Sequence, residues 1–105
     1  MDLTIDVNEG QVCFDIKTNA IGTPNRGHIH LAPPGANGGI VAPLFELSAV
    51  PTDPRHDALE NGGITDCTAA DPAVLGAIVA NPGLYYVNLH NARFPAGAVR
   101  GQLEP

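Results

Sequence analysis

Glycine and proline punctuate this chain from end to end, twelve of one and ten of the other in 105 residues. Glycine opens backbone conformations that other residues avoid, and proline removes an amide donor. A chain interrupted this often builds short strands joined by turns and has little room for long helices. The stretches between the interruptions agree. "LTIDV" alternates apolar and polar residues as a half-buried strand does. "NEG", Asn8 to Gly10, is a turn signal, and "QVCFDIK" alternates again, with Val12, Phe14 and Ile16 on one face. Two such runs across a short turn read as a β-hairpin.

The next strand is "RGHIHL". Successive side chains of a strand point to opposite faces, so Ile29 and Leu31 are expected toward the core and His28 and His30 out of the sheet toward solvent. "APPGANGG", Ala32 to Gly39, is a loop, and "IVAPLFELSAV" reads as two short strands broken at Pro43. The polar segment "PTDPRHDALENGG" carries His56, and "ITDC" reads as a short strand. "LYYVNLHN" sets Leu84, Tyr86, Asn88 and His90 on one side and Tyr85, Val87 and Leu89 on the other, and "AVRGQL" reads as the last strand. One helix is expected, over about residues 72–80. Asp71 suits its N-cap and Pro72 its first position, and Val74, Leu75, Ile78 and Val79 form an apolar stripe that "NPG" ends. The length is that of one domain, residues 1–105. The fold class is all-β, a Greek-key β-sandwich or barrel with one short inserted helix.

Charge and apolar pattern narrow the function. The formal net charge of −6 argues against nucleic acid and anionic membranes as partners. No apolar run has the length to insert across a bilayer as a helix. Cys13 and Cys67 fit no C-x-x-C or zinc-finger spacing. The reading that suits a small, turn-rich chain is a disulfide closing a loop of roughly 50 residues, on the order of 3–4 kcal/mol by loop entropy; a redox or metal thiolate is the other. A disulfide implies an oxidising location, secreted or periplasmic; the sequence shows no signal peptide, and the strand-like run directly after Met1 reads as the start of a mature domain whose export signal is left off.

The histidines carry the chemistry. Residues i and i+2 of a strand project from one face about 6.5–7 Å apart, and two imidazoles at that spacing converge on one metal ion with bonds of about 2.0 Å. His28 and His30 make that pair, His90 on another strand is the natural third ligand, and His56 is a fourth candidate. The competing reading is a solvated sheet face decorated with imidazoles. Imidazole-only ligation suits copper and zinc. With the cysteines oxidised and Met1 the only methionine, a blue-copper or methionine-rich carrier is excluded. Copper in a surface (type 2) histidine site is then the first expectation, and zinc the alternative.

The segments "VCFD", "GHIHLAPPGANGG" and "NPGLYYVNLHNARFPAGAVRGQL" together resemble the CHRD domain, named from chordin and common in bacterial extracellular proteins. That family combines an H-I-H strand and a Gly/Asn loop with N-P-x-x-Y-Y-V-N-x-H-x-x-x-F-P-x-G-x-x-R-G-Q-L, and the match runs from about Gln11 to Leu103. The resemblance implies a cysteine on an early strand and another before the helix, where Cys13 and Cys67 stand. A distant likeness to copper-zinc superoxide dismutase places His28 and His30 at the paired copper ligands, His90 at the late one and His56 at the loop histidine. That family's run of zinc ligands has no counterpart, although Asp57 and Asp66 are present. Its long loop with a substrate-guiding arginine is missing, and nothing in the spacing makes Arg93 or Arg100 a replacement.

Two functions follow as expectations. One is an extracellular or periplasmic copper-binding domain that sequesters or transfers the metal, or supports redox chemistry on small oxygen species in the manner of superoxide dismutase. The other is a non-enzymatic module that binds an extracellular protein partner or matrix, with the histidines incidental. A serine hydrolase is excluded in practice: Ser48 is the only serine and it lies in an apolar run, without a Gly-x-Ser-x-Gly elbow. Arg100 is expected to pair with a carboxylate or to cap loop carbonyls, and one hydroxyl of Tyr85 and Tyr86 is a candidate second partner of a ligand histidine.

Overall fold

The computed structural model describes residues 2–17, 24–47, 52–55, 58, 62–91 and 99–104. Among them, in chain order, are β1 (Asp2–Asp6), β2 (Gln11–Lys17), β3 (Arg26–Leu31), β4 (Ile40–Glu46), β5 (Gly63–Ala69), the helix α1 (Pro72–Ala80), β6 (Tyr85–His90) and β7 (Val99–Gln102). They form two antiparallel sheets, β1-β2-β5 and β4-β3-β6-β7. The all-β sandwich expected from the sequence is the fold observed.

The expected hairpin of β1 and β2 is present, and Gly10 at φ 62° ends its turn. Val12, Phe14 and Ile16 point inward and are fully or almost fully buried. From the other sheet Ile29, Ala42, Leu44, Phe45, Val87 and Leu89 meet them, and Phe14 and Phe45 pack ring to ring at 6.0 Å across the interior. Gly27 faces this core. A Cβ there would stand 2.6 Å from the Phe45 ring, so the missing side chain is what lets the aromatic pair seat between the sheets. Cys13 and Cys67, directly opposite each other on β2 and β5, are joined as a disulfide on the outer side of the smaller sheet.

Helix α1 begins as expected. The Asp71 carboxylate accepts from the Ala73 amide at 2.9 Å, and Pro72 takes the first turn, where its missing donor costs nothing. Leu75 and Ile78 are buried, whereas Val79, counted into the apolar stripe, is exposed. At about 100° per residue Val79 lies a quarter turn beyond Ile78, outside the narrow face by which so short a helix rests on the sandwich.

Two further expectations need correction. The segment around Pro43 is one strand, not two. It is an edge strand, where a missing amide donor is tolerated, and the register with β3 slips between Gly27 and His28 and again between Ile29 and His30. These bulges put Leu44 and Phe45 into the core consecutively and keep Pro43 and Glu46 on the other face. Leu31 is about half exposed rather than in the core, because β3 ends there and the chain leaves the sandwich.

Candidate metal centre

Strands β3 and β6 pair so that Arg26 stands opposite His90, His28 opposite Asn88 and His30 opposite Tyr86. Alternation puts all six on the face turned away from the core, the same face as Arg100 and Gln102 of β7. His90 is therefore the diagonal neighbour of His28, close enough for side chains to meet across strands. The ring centroids lie 5.9 Å (His28–His30), 5.1 Å (His28–His90) and 6.3 Å (His30–His90) apart. One ring nitrogen from each residue lies within 4.8 Å of those of the other two. This cluster could hold a metal ion.

The histidines face away from the core as the alternation requires, but they do not face solvent. His28 is 2 %, His30 8 % and His90 6 % exposed. The surface site expected from the sequence is thus a buried one. One reason is a covering segment that strand periodicity does not encode: the loop over residues 32–39 lies against His30 and Tyr86. Gly38 and Gly39 bring its returning limb against the end of β3: the Leu31 amide donates to Gly39 O at 3.2 Å, and a Cβ on Gly38 would collide with Leu31 O. Arg100 ties down the rest, donating to Pro33 O at 3.0 Å and to Ala36 O. Gln102 donates to Ala32 O at 3.0 Å. Of the two expectations for Arg100, capping loop carbonyls is the one observed. Its guanidinium also lies 3.6 Å from the centre of the Tyr86 ring, a cation–π contact, and Tyr86 in turn stacks on His30 at 4.9 Å.

The hydrogen bonds at the rings fix where their protons sit. His30 Nδ1 lies 2.9 Å from Gly38 O. A carbonyl only accepts, so this nitrogen carries the proton and Nε2 carries the lone pair. His30 Nε2 is buried and has no hydrogen-bond partner. His28 Nε2 is hydrogen-bonded to the Glu46 carboxylate, which leaves the lone pair on Nδ1. That Nδ1 lies 3.3 Å from His90 Nε2. Two nitrogens bound to one ion by bonds of about 2.0–2.1 Å stand about 3.3 Å apart at the tetrahedral angle. The third ring nitrogen lies within 4.8 Å of these two.

Of the residues singled out from the sequence, His28, His30 and His90 are brought together. His56, Asp57 and Arg93 lie outside the described residues. Asp66 is engaged elsewhere, in an ion pair with Arg55 at 3.4 Å. Tyr86 reaches the site by stacking, and its hydroxyl accepts from the Gly38 amide at 3.1 Å, so it supports the loop that holds His30. Tyr85 faces the core. Sequence reasoning missed Glu46. Its one signal, a place near the end of an edge strand, becomes informative only once the β3–β4 register and its bulges are known.

A family model for the CHRD domain matches residues 1–103. No curated protein and no solved structure matches the chain, so the distant likeness to superoxide dismutase gains no support. CHRD domains occur in extracellular proteins, and the Cys13–Cys67 disulfide fits such a setting. Among the described residues no helix is long and apolar enough to cross a membrane. The chain belongs to the CHRD domain family.

Proposed function

We propose that this CHRD domain binds one copper ion through His28, His30 and His90, in an extracellular or periplasmic setting, and serves to sequester or hand on the metal. The observation that carries the reading is His30 Nε2, a buried lone pair without a hydrogen-bond partner that belongs to a cluster of three imidazoles. Leaving a buried polar atom unmade costs about 1–3 kcal/mol, and a bound cation removes that cost. The donor set points to the metal. It is all imidazole, and the only two cysteines are joined on the other sheet and offer no thiolate. Such a set suits Cu(II) and Zn(II), and Cu(II) binds nitrogen sites more tightly than the other divalent first-row ions. His56 as a fourth ligand, and redox turnover of small oxygen species, are extensions of this reading.

Thermal unfolding tests it. Cu(II) at 100 times its Kd should stabilise the folded chain by about 2.7 kcal/mol, on the order of 10–20 °C in Tm for a chain of this size. Zn(II) should give a smaller shift. His30→Ala should remove the copper shift while keeping a cooperative transition. A wild-type protein whose Tm ignores both metals would leave the extracellular interaction module as the better account.

A further inference from the structure

Glu46 stands on the face of β4 that adjoins the histidines, directly opposite Arg26. Its carboxylate bonds to His28, the diagonal neighbour two residues along β3. The two partners differ sharply in exposure: the His28 side chain is 2 % exposed and that of Glu46 49 %. Through one hydrogen bond a carboxylate half in water meets a ring sealed from solvent. The pairing with Arg26 sets Glu46 on this face, and the bulge between Gly27 and His28 keeps Pro43 on it as well, opposite His28.

We infer that Glu46 is the positioning residue of the metal centre. It holds His28 in the tautomer with its proton on Nε2, aims the Nδ1 lone pair at the site, and raises the donor strength of that ring toward a cation. The inference rests on the metal-binding reading for its consequence, but its structural half concerns the metal-free protein as well. A carboxylate or carbonyl on the far nitrogen of a ligand imidazole is a general device for fixing ring orientation, and its loss commonly weakens metal affinity by about 10–100-fold. His30 uses the carbonyl version, with Gly38 O. His28 uses the charged version, so its contribution should be the one sensitive to charge.

The experiment has two arms. In the metal-free protein, nitrogen–proton correlation spectra of the imidazoles should report the Nε2–H tautomer for His28 in wild type and in Glu46→Gln, whose amide oxygen still accepts, and a tautomer mixture in Glu46→Ala. In the second arm, Cu(II) titration followed by EPR should give a Kd weakened about tenfold in Glu46→Gln and more in Glu46→Ala. The Cu(II)/Cu(I) potential should rise in both variants, since lost negative charge disfavours the higher oxidation state. Circular dichroism and Tm of the metal-free variants check that they fold. An unchanged His28 tautomer in a folded Glu46→Ala overturns the inference. So does copper binding with wild-type affinity, EPR parameters and potential in both variants. If wild-type protein binds no copper, the metal reading and the donor-strength half fall together, and the tautomer arm still decides the rest.

Discussion

The two sheets are built alike on the inside and differently on the outside. In the three-stranded sheet β2 alternates buried and less buried residues along its whole length, and Thr4, Thr65 and Cys67 on the outer face are exposed. In the four-stranded sheet β3 and β6 are buried on both faces: Ile29, Val87 and Leu89 inward, and His28, His30, Tyr86 and His90 outward. One difference is the loop over 32–39, held against the His30 and Tyr86 end of the second sheet by Arg100 and Gln102. A polar sheet face left to water needs no further partners. A polar face that is covered must satisfy every donor and acceptor it carries, and this one leaves the His30 Nε2 acceptor without a partner. The difference separates a face left to water from one whose three histidines could hold a metal ion.

The largest effect expected from pressing on this comparison lies in the solvated sheet. Cys13→Ser with Cys67→Ser should lower stability by about 3–4 kcal/mol in urea unfolding and leave the copper affinity of the folded fraction unchanged, because the bridge sits on the opposite sheet. A parallel loss of affinity would mean that the two outer faces are not independent. Smaller, and confined to the covered sheet, should be the effect of Arg100→Met. It removes the charged donor from two loop carbonyls and should cost about 1–2 kcal/mol. Hydrogen exchange should quicken at the Gly38 and Leu31 amides, and copper should dissociate faster. Equal protection in the variant would show that the loop stays in place without its clamp. The smallest effect should come from Thr65→Ala. That residue is exposed and its one side-chain hydrogen bond, to Asp15, lies at the surface, so the change should stay within about 0.5 kcal/mol.

The same contrast explains what could be read from the sequence. Strand alternation gave the hairpin, the inward residues of β2 and β6, Ile29 of β3, and the common face of His28, His30 and His90, because period-2 patterning is local. The capping chemistry at Asp71 and Pro72 gave the start of α1 for the same reason. The burial of His30 was not legible, because a glycine- and proline-rich loop folds back against it, and no periodicity records that. Pro43 misled in a similar way: a proline ends a central strand but not an edge strand with bulges, and edge position is a property of the sheet. Glu46 was invisible because its partner is set by the register across β3 and β4.

The central claim is that three imidazoles from β3 and β6 share one ion. EPR of the protein with one equivalent of Cu(II) measures this directly through the hyperfine coupling of ligand nitrogens. The account predicts a single type 2 species with three imidazole nitrogens in wild type, and one nitrogen fewer together with a large loss of affinity in His30→Ala. An identical spectrum and affinity in His30→Ala would contradict it.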